Sequence, residues 1–307
     1  MTAPIRIDIA ICTFRRTALT ETLTSLSQLI VPAGVRLGII VADNDVEPSA
    51  RDRVEAAMPM LPASILYVHC PAGNISIARN ACLEHSDADF IAFVDDDETV
   101  EPLWLDALLA AAGKRRADVV LGPVRALYGQ GAPDWMREGD FHATRPVWVN
   151  GEIRTGYTCN VLMRRAAPSI AGRRFDLALG RSGGEDTAFF SAVHAEGGHI
   201  AFAEEAWVKE IVPAERACLS WLARRRLRMG QTHGRLLAAR HEGASRLSAA
   251  ALAAAKSAVC FAGATAFAFS PVRRNRFFLR GLLHAGAIGG LFGARAIEPY
   301  GNLEAVQ

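Results

Sequence analysis

The six cysteines of this 307-residue chain, Cys12, Cys70, Cys82, Cys159, Cys218 and Cys260, form no CxxC pair and show no metal-ligand spacing. That argues against a zinc site or a disulfide framework and for small buried thiols in a reduced compartment. Glycine is missing from the turn after the first apolar alternation, Cys12-Thr13-Phe14-Arg15-Arg16. A dinucleotide fold needs GxGxxG there and a P-loop protein needs GxxxxGK[ST], so both are demoted. The beginning, Met1-Thr2-Ala3-Pro4-Ile5-Arg6-Ile7, carries neither a basic flank nor an apolar h-region, and the chain is expected to work in the cytosol. Acids are scarce in the last third: residues 216–307 hold 14 basic and 3 acidic side chains, against 20 and 29 in residues 1–215. The two parts face different partners.

What is present in the first part is alternation. Residues 7–12 read as a strand and 17–29 as a helix; strands at 36–42 and 65–69 and helices at 49–58 and 74–85 follow, then an apolar strand at 90–94. Beyond it come a helix at 101–112, strands at 117–121 and 157–165, a helix from 185 to about 196, and a last strand at 201–211. Such alternation predicts an α/β fold with a mostly parallel central sheet flanked by helices and a ligand crevice at one set of strand ends. Residues 129–156, rich in Gly, Pro and Trp, form a long connection whose Trp135, Phe141, His142 and Trp148 either stack on sugar faces or close a minor hydrophobic cluster.

The chain is organised around Phe90-Ile91-Ala92-Phe93-Val94-Asp95-Asp96-Asp97-Glu98, a buried strand running straight into four acids. Such a cluster repels itself without a cation, and Mg²⁺ or Mn²⁺ shared with substrate phosphates suits hard carboxylate donors. A solvated turn before the helix at Glu101-Pro102 is the competing reading. Asp43 and Asp45 end the second strand, as ribose or base acceptors or as an Asx-turn. Glu185 and Asp186 open a helix, where acids are favoured by the macrodipole alone.

Taken together, CTFRR, ADND, NISIARN, FVDDDE, TCNVLMRR and GGEDTAFF occur in an order that resembles the inverting family 2 glycosyltransferases of the GT-A fold, and among them the succinoglycan-type bacterial exopolysaccharide transferases. The likeness runs from about Ile7 to Gly230. It implies a nucleotide-diphosphate sugar donor, UDP-sugar foremost, and a lipid-linked or saccharide acceptor. Residue by residue it implies Asp43 as nucleobase contact, Thr13 and Arg15 bordering the nucleotide, and Arg79 and Asn80 lining the donor pocket. Asp95 and Asp97 match the outer positions of the DxD motif that binds donor and Mn²⁺ or Mg²⁺, with Asp96 between them also facing the donor. Asp186 matches the general base, beside Glu185. The QxxRW motif of processive synthases is absent, with Arg225, Arg228, Gly230 and Gln231 in its neighbourhood, so one sugar per encounter is expected. A helix N-terminus lowers a carboxylate's pKa, so either desolvation by acceptor binding, with the adjacent Glu185, restores the basicity of Asp186, or proton transfer is late.

The expected division is a GT-A catalytic domain at 1–215, with a nucleotide half at 1–100 and an acceptor half at 101–215, followed by a basic, Ala-rich helical region at 216–307. Residues 247–269 are broken among charges only by Lys256, and Arg273, Arg274 and Arg276 stand beside Phe277, Phe278 and Leu279. Helices lying on the anionic inner leaflet fit this better than a span or nucleic-acid binding; a soluble helical subdomain is the bland alternative. The expected place is therefore cytoplasmic, peripheral on the inner membrane face. A metal-dependent nucleotidyltransferase and a catalytically silent sugar-nucleotide-binding scaffold are the competing functions.

Overall fold

A computed structural model describes residues 3–239 and 242–295. In chain order the elements are β1 (Ile5–Thr13), α1 (Leu19–Ser27), β2 (Val35–Asp43), α2 (Arg51–Ala57), β3 (Ser64–His69), α3 (Ile75–His85), β4 (Phe90–Val94), β5 (Glu98–Val100) and α4 (Trp104–Arg115). There follow β6 (Val119–Leu121), β7 (Val124–Tyr128), α5 (Asp134–Gly139), β8 (Trp148–Val149), β9 (Glu152–Ile153), β10 (Asn160–Arg164), α6 (Glu185–Ala195), β11 (Ile200–Phe202) and β12 (Val208–Val212). Three long helices complete the described chain: α7 (Leu219–Ala238), α8 (Gly243–Ala266) and α9 (Pro271–Leu291).

Seven strands form the main sheet in the order β11-β6-β10-β4-β1-β2-β3. All neighbours are parallel except β10, which runs antiparallel to both β4 and β6. Mostly parallel is thus the right description. The central strands are apolar on both faces, as they must be when helices cover each side: Ile7, Ile9 and Ile11 pack with Leu19, Leu23 and Trp104 on one side, and Ala10, Ile91 and Phe93 with Cys82, Phe175 and Phe190 on the other. Every residue of β4 is buried. The register pairs Thr13 with Asp43 and Val94 with Asn160, so the carboxyl ends of β1, β2 and β4 come out at one edge. There the acids leave the sheet.

The single strand expected over 201–211 is two. Exposed Glu204 and Glu205 break it, so that β11 joins the main sheet while β12 pairs antiparallel with β5, setting Glu210 opposite Glu98. Residues 129–156 contain α5 and the β8–β9 hairpin, which carries Trp148 in the open.

The described residues divide into this α/β unit and a helical unit made of residues 126–142 together with those from 211 to 295. Of the two roles open to the connection's aromatics, three serve as packing in the helical unit. Trp135 meets Phe141 edge to face at 5.0 Å, and His142 stacks on Trp221 at 5.3 Å, around buried Met136, Leu222 and Leu279. Helices α7 and α9 touch backbone to backbone, because Gly230 and Gly234 on α7 face Gly286 and Gly290 on α9, a small-xxx-small seam on both sides. A Cβ at Gly230 would overlap the Leu283 carbonyl. Replacing a helical glycine ordinarily gains up to about 1 kcal/mol in propensity. Overpacking against immovable backbone costs about 1–3 kcal/mol and wins. Gly230→Val is therefore expected to lower the melting temperature of the helical unit by several degrees, read by thermal denaturation; an unchanged or raised value would contradict the close-packed seam.

Candidate active site

Local chemistry explains how each side chain reaches the carboxyl edge. After β1 the chain turns at Arg15 in the left-handed region, φ 54°. Its Nε donates to both carboxylate oxygens of Asp45, at 2.9 and 3.0 Å, and these bonds with those from Ser49 and Val46 hold Asp45 below the usual carboxylate range despite burial. Asp43 is fully buried and accepts from the backbone of Asp45 and Ala50 and from the Tyr67 hydroxyl at 2.7 Å. Its carboxylate thus builds the β2 turn, and an incoming base would have to share it. Thr13 is buried beside Asp96.

The NISIARN segment divides between structure and site. Asn74 caps α3 through Ser76 N–H and donates to the Leu177 carbonyl, Ser76 donates to the Asp176 carbonyl, and Asn80 exchanges two bonds with the Phe175 backbone. These three side chains lace α3 to residues 175–180. Arg79 instead points into the site: buried, stacked over Phe175 at 5.6 Å, and ion-paired with Glu185. Burial works against its charge, but Glu185, Asp186 and Asp95, all facing it, hold the guanidinium firmly protonated. One cation therefore joins the acids of β4 to those of α6.

Two left-handed glycines, Gly183 and Gly184 at φ 79° and 98°, turn the chain into α6. Only glycine takes such angles without strain. They set Glu185 and Asp186 in the first helical turn, where Asp186 accepts from Thr187 N–H at 2.6 Å. Burial and the adjacent Glu185 raise the Asp186 carboxyl to about 6, over the opposing pull of Arg79 and the Thr187 bonds.

The acids after β4 crowd one another. Burial, with Asp97, Asp96 and Glu210 nearby, lifts Asp95 to about 7 although Arg79 pulls the other way. Asp96 rises to about 7 from burial and Asp97, partly offset by Thr13, Arg16 and the Phe14 backbone. Arg16 lies 3.9 Å from Asp96 and 3.6 Å from Asp97. Glu98, by sequence only the last acid before a helix start, is buried and pushed well above its ordinary range by desolvation, Asp95 and Glu210; its Oε2 accepts from the Asp95 backbone at 3.1 Å. Donor atoms of Asp95, Glu98 and Cys159 lie within 4.8 Å of one another. A thiol is a poor ligand for Mg²⁺ or Mn²⁺, so Cys159 reads as wall, whereas the surrounding carboxylates suit a hard divalent cation. Asn160 holds this wall, accepting from Trp104 Nε1 at 2.8 Å and donating to the Pro123 and Ala206 carbonyls. Glu210 lies in no motif, and Asn160 stands inside TCNVLMRR without an assigned role; strand pairing brings both to the acids.

Residues 8–168, more than half the chain, match the sequence model of glycosyl transferase family 2. The chain belongs to that family. This glycosyltransferase is 59 % identical over 300 residues to the succinoglycan biosynthesis protein ExoM of Rhizobium meliloti (strain 1021), covering 98 % of this chain and 97 % of the relative. Its GT-A fold is shared with the mannosyltransferase PcManGT from Pyrobaculum calidifontis, solved in complex with GDP-Man and Mn²⁺: TM-score 0.62, 18 % identity, 96 % of this chain and 89 % of that one. It is shared also with S. aureus TarS 1-349 in complex with UDP-GlcNAc, at TM-score 0.54 and 17 % identity over 96 % of this chain and 99 % of that one.

A carboxyl raised by folding costs stability once ionised. The cost is absent below about pH 4, where folded and unfolded chains are both protonated, and is complete above pH 7 for Asp95 and Asp96. Metal-free enzyme is thus expected to lose melting temperature between pH 4 and 7. A divalent cation would bind the ionised acids, so stabilisation by Mn²⁺ should grow across the same interval, by roughly 5 °C or more. Equal stabilisation at both ends, in a differential scanning measurement, would contradict the shared acid site.

Proposed function

We propose that the enzyme transfers one sugar, with inversion, from a nucleotide-diphosphate donor, UDP-sugar foremost, to a lipid-linked or saccharide acceptor in succinoglycan-type exopolysaccharide synthesis. The carrying observation is a buried cation, Arg79, facing both Asp95 and Asp186. It supports a site in which the leaving diphosphate and the attacking hydroxyl are handled side by side. The near-full-length likeness to ExoM supports the exopolysaccharide setting, and the UDP-GlcNAc and GDP-Man complexes of the structural neighbours support a nucleotide-sugar donor.

In this reading Asp186 accepts the proton of the acceptor hydroxyl as its oxygen bonds to the anomeric carbon. The bond from that carbon to the diphosphate oxygen breaks on the opposite face, and nucleoside diphosphate leaves. A carboxyl near 6 is close to the operating pH, which general-base catalysis favours. Glu185, tied to Arg79, fixes the orientation of the α6 turn. Asp95 and Asp97 would hold Mn²⁺ or Mg²⁺, which when bound neutralises charge on the departing diphosphate. Asp96 and Arg16, with Thr13 and Arg15, border the donor; Asp43 shapes the base-binding turn, and Arg79 lines the pocket while Asn80 anchors its helix to the Phe175 backbone.

The helical unit supports peripheral attachment to the inner leaflet. Among the described residues α8 is long and apolar enough to cross a membrane by length and composition, and 17 % of its apolar window is buried. Leu247, Leu252 and Val259 are exposed along it, and Phe269 stands in the open at the turn into α9. Lys256 near its middle makes a surface position cheaper than a span, since a central Lys or Arg costs about 2.5–3.5 kcal/mol on insertion scales.

Asp186→Asn is expected to retain donor binding while transfer falls about 10²–10⁴-fold, with nucleoside diphosphate rather than pyrophosphate as the wild-type product. Near-normal turnover in Asp186→Asn beside a dead Glu185→Gln would reverse the assignment, and pyrophosphate release would favour a nucleotidyltransferase.

A further inference from the structure

Of the four aromatics in the connection 129–156, three pack inside the helical unit and Trp148 stands in the open. Its neighbours are open too: Val147, Trp148 and Val149 are 66 %, 54 % and 41 % exposed. Three exposed apolar residues in succession invite aggregation unless they have a use. The patch is one strand wide, because the exposed residues across the hairpin are Glu152 and Arg154, ion-paired at 3.3 Å.

The hairpin holds this ring in a fixed place. Asn150 and Gly151, at φ 53° and 82°, form the two-residue left-handed turn whose twist suits paired strands. Both roots are tied to the α/β unit. Before β8, Thr144 pairs with Val124 and Arg145 lies over the Trp207 ring at 5.0 Å. After β9, the Thr155 hydroxyl donates to the Thr187 carbonyl at 3.2 Å, so this root is bonded to the residue next to Asp186. Pairing also sets which way Trp148 faces. It stands opposite Ile153, and directly opposed residues share a face of the hairpin. Ile153 is 2 % exposed, in the core cluster that holds Phe190 and Ile200. Trp148 is therefore on the inward side and yet open, beyond the edge of the core that covers Ile153. One cross-strand step and two residues, roughly 12 Å at most, separate it from Thr155.

A bilayer or a second copy of the chain asks for a broad apolar face, which one strand flanked by an ion pair does not offer. A pyranose ring fits better: its C–H face is about the size of an indole, and its rim of hydroxyls stays wet. We propose that Trp148 is a subsite for the acceptor saccharide, its indole stacking on a pyranose behind the ring whose hydroxyl meets Asp186. The inference rests on the glycosyl-transfer reading and deepens it: the acceptor is an oligosaccharide, gripped at a distance from the bond being made.

Full-length enzyme labelled with 5-fluorotryptophan carries five fluorine reporters, one for each tryptophan, and the resonance missing from Trp148→Phe is that of Trp148. Buried Trp104 serves as the internal reference. Cellotetraose, a run of β-linked pyranoses with open C–H faces, is expected to shift the Trp148 resonance saturably, and glucose to bind about tenfold or more weakly. By calorimetry, cellotetraose affinity should fall about tenfold in Trp148→Ala and less than about twofold in Met60→Ala, an exposed apolar residue elsewhere on the α/β unit. Circular dichroism confirms that both variants fold. A Trp148 resonance that ignores cellotetraose overturns the subsite. So does one that moves instead on protein dilution, which assigns the hairpin to a second copy, or on adding phosphatidylglycerol vesicles, which assigns it to a bilayer. Product analysis on the same samples tests the underlying reading separately. Nucleoside diphosphate released from UDP-sugars while Trp148 stays silent leaves glycosyl transfer standing without the subsite; pyrophosphate as the product removes glycosyl transfer and the acceptor role of Trp148 with it.

Discussion

The constraint on which this fold depends is the burial of too many carboxylates around too few cations. Asp96, Glu98 and Glu185 are buried and Asp95 and Asp186 half-buried beside Glu210, and the cations facing them are Arg79 and Arg16. An isolated buried charge is so costly that groups normally neutralise instead, and the raised values of Asp95, Asp96 and Asp186 express that cost. Arg79 limits it where β4 and α6 meet. In the proposed reaction a divalent cation and a substrate proton would relieve the remaining repulsion, so an apparent defect of the unliganded chain would become the driving force for loading it.

The rest of the α/β unit delivers these groups. Parallel strands bring Thr13, Asp43 and Asp95 to one edge, the antiparallel β10 adds Asn160, and a double glycine turn sets the ED pair at a helix start. Arg79 shares its helix with Asn74, Ser76 and Asn80, whose bonds to residues 175–180 hold α3 against the segment leading to α6. Such anchoring restrains the helix that carries Arg79, and positional catalysis favours side chains so held.

Much of this was legible in residue order. Strand and helix alternation pointed to the sheet, and the acid-tipped apolar strand and the glycine-led ED turn marked their own positions. What stayed hidden were properties of pairing and enclosure. That Asn80 ties backbone rather than lining free space, and that Asp43 is already engaged by three donors, depends on neighbours distant in sequence. Glu98 lay inside the best motif, yet its burial follows from β5 pairing with β12, a strand that periodicity merged with β11. The basic tail was readable as charge beside apolar surface; the glycine seam that fuses α7 to α9, and leaves α8 covered along one stripe, was not.

Inversion is the part of the proposed chemistry most open to contradiction, because a single displacement assisted by Asp186 would allow one stereochemical outcome. Proton NMR of the sugar newly transferred from an α-linked nucleotide sugar tests it directly. Direct displacement predicts a β-configured product from the first turnover, whereas an α-configured product would contradict the roles of Asp186 and of the acids it faces across Arg79.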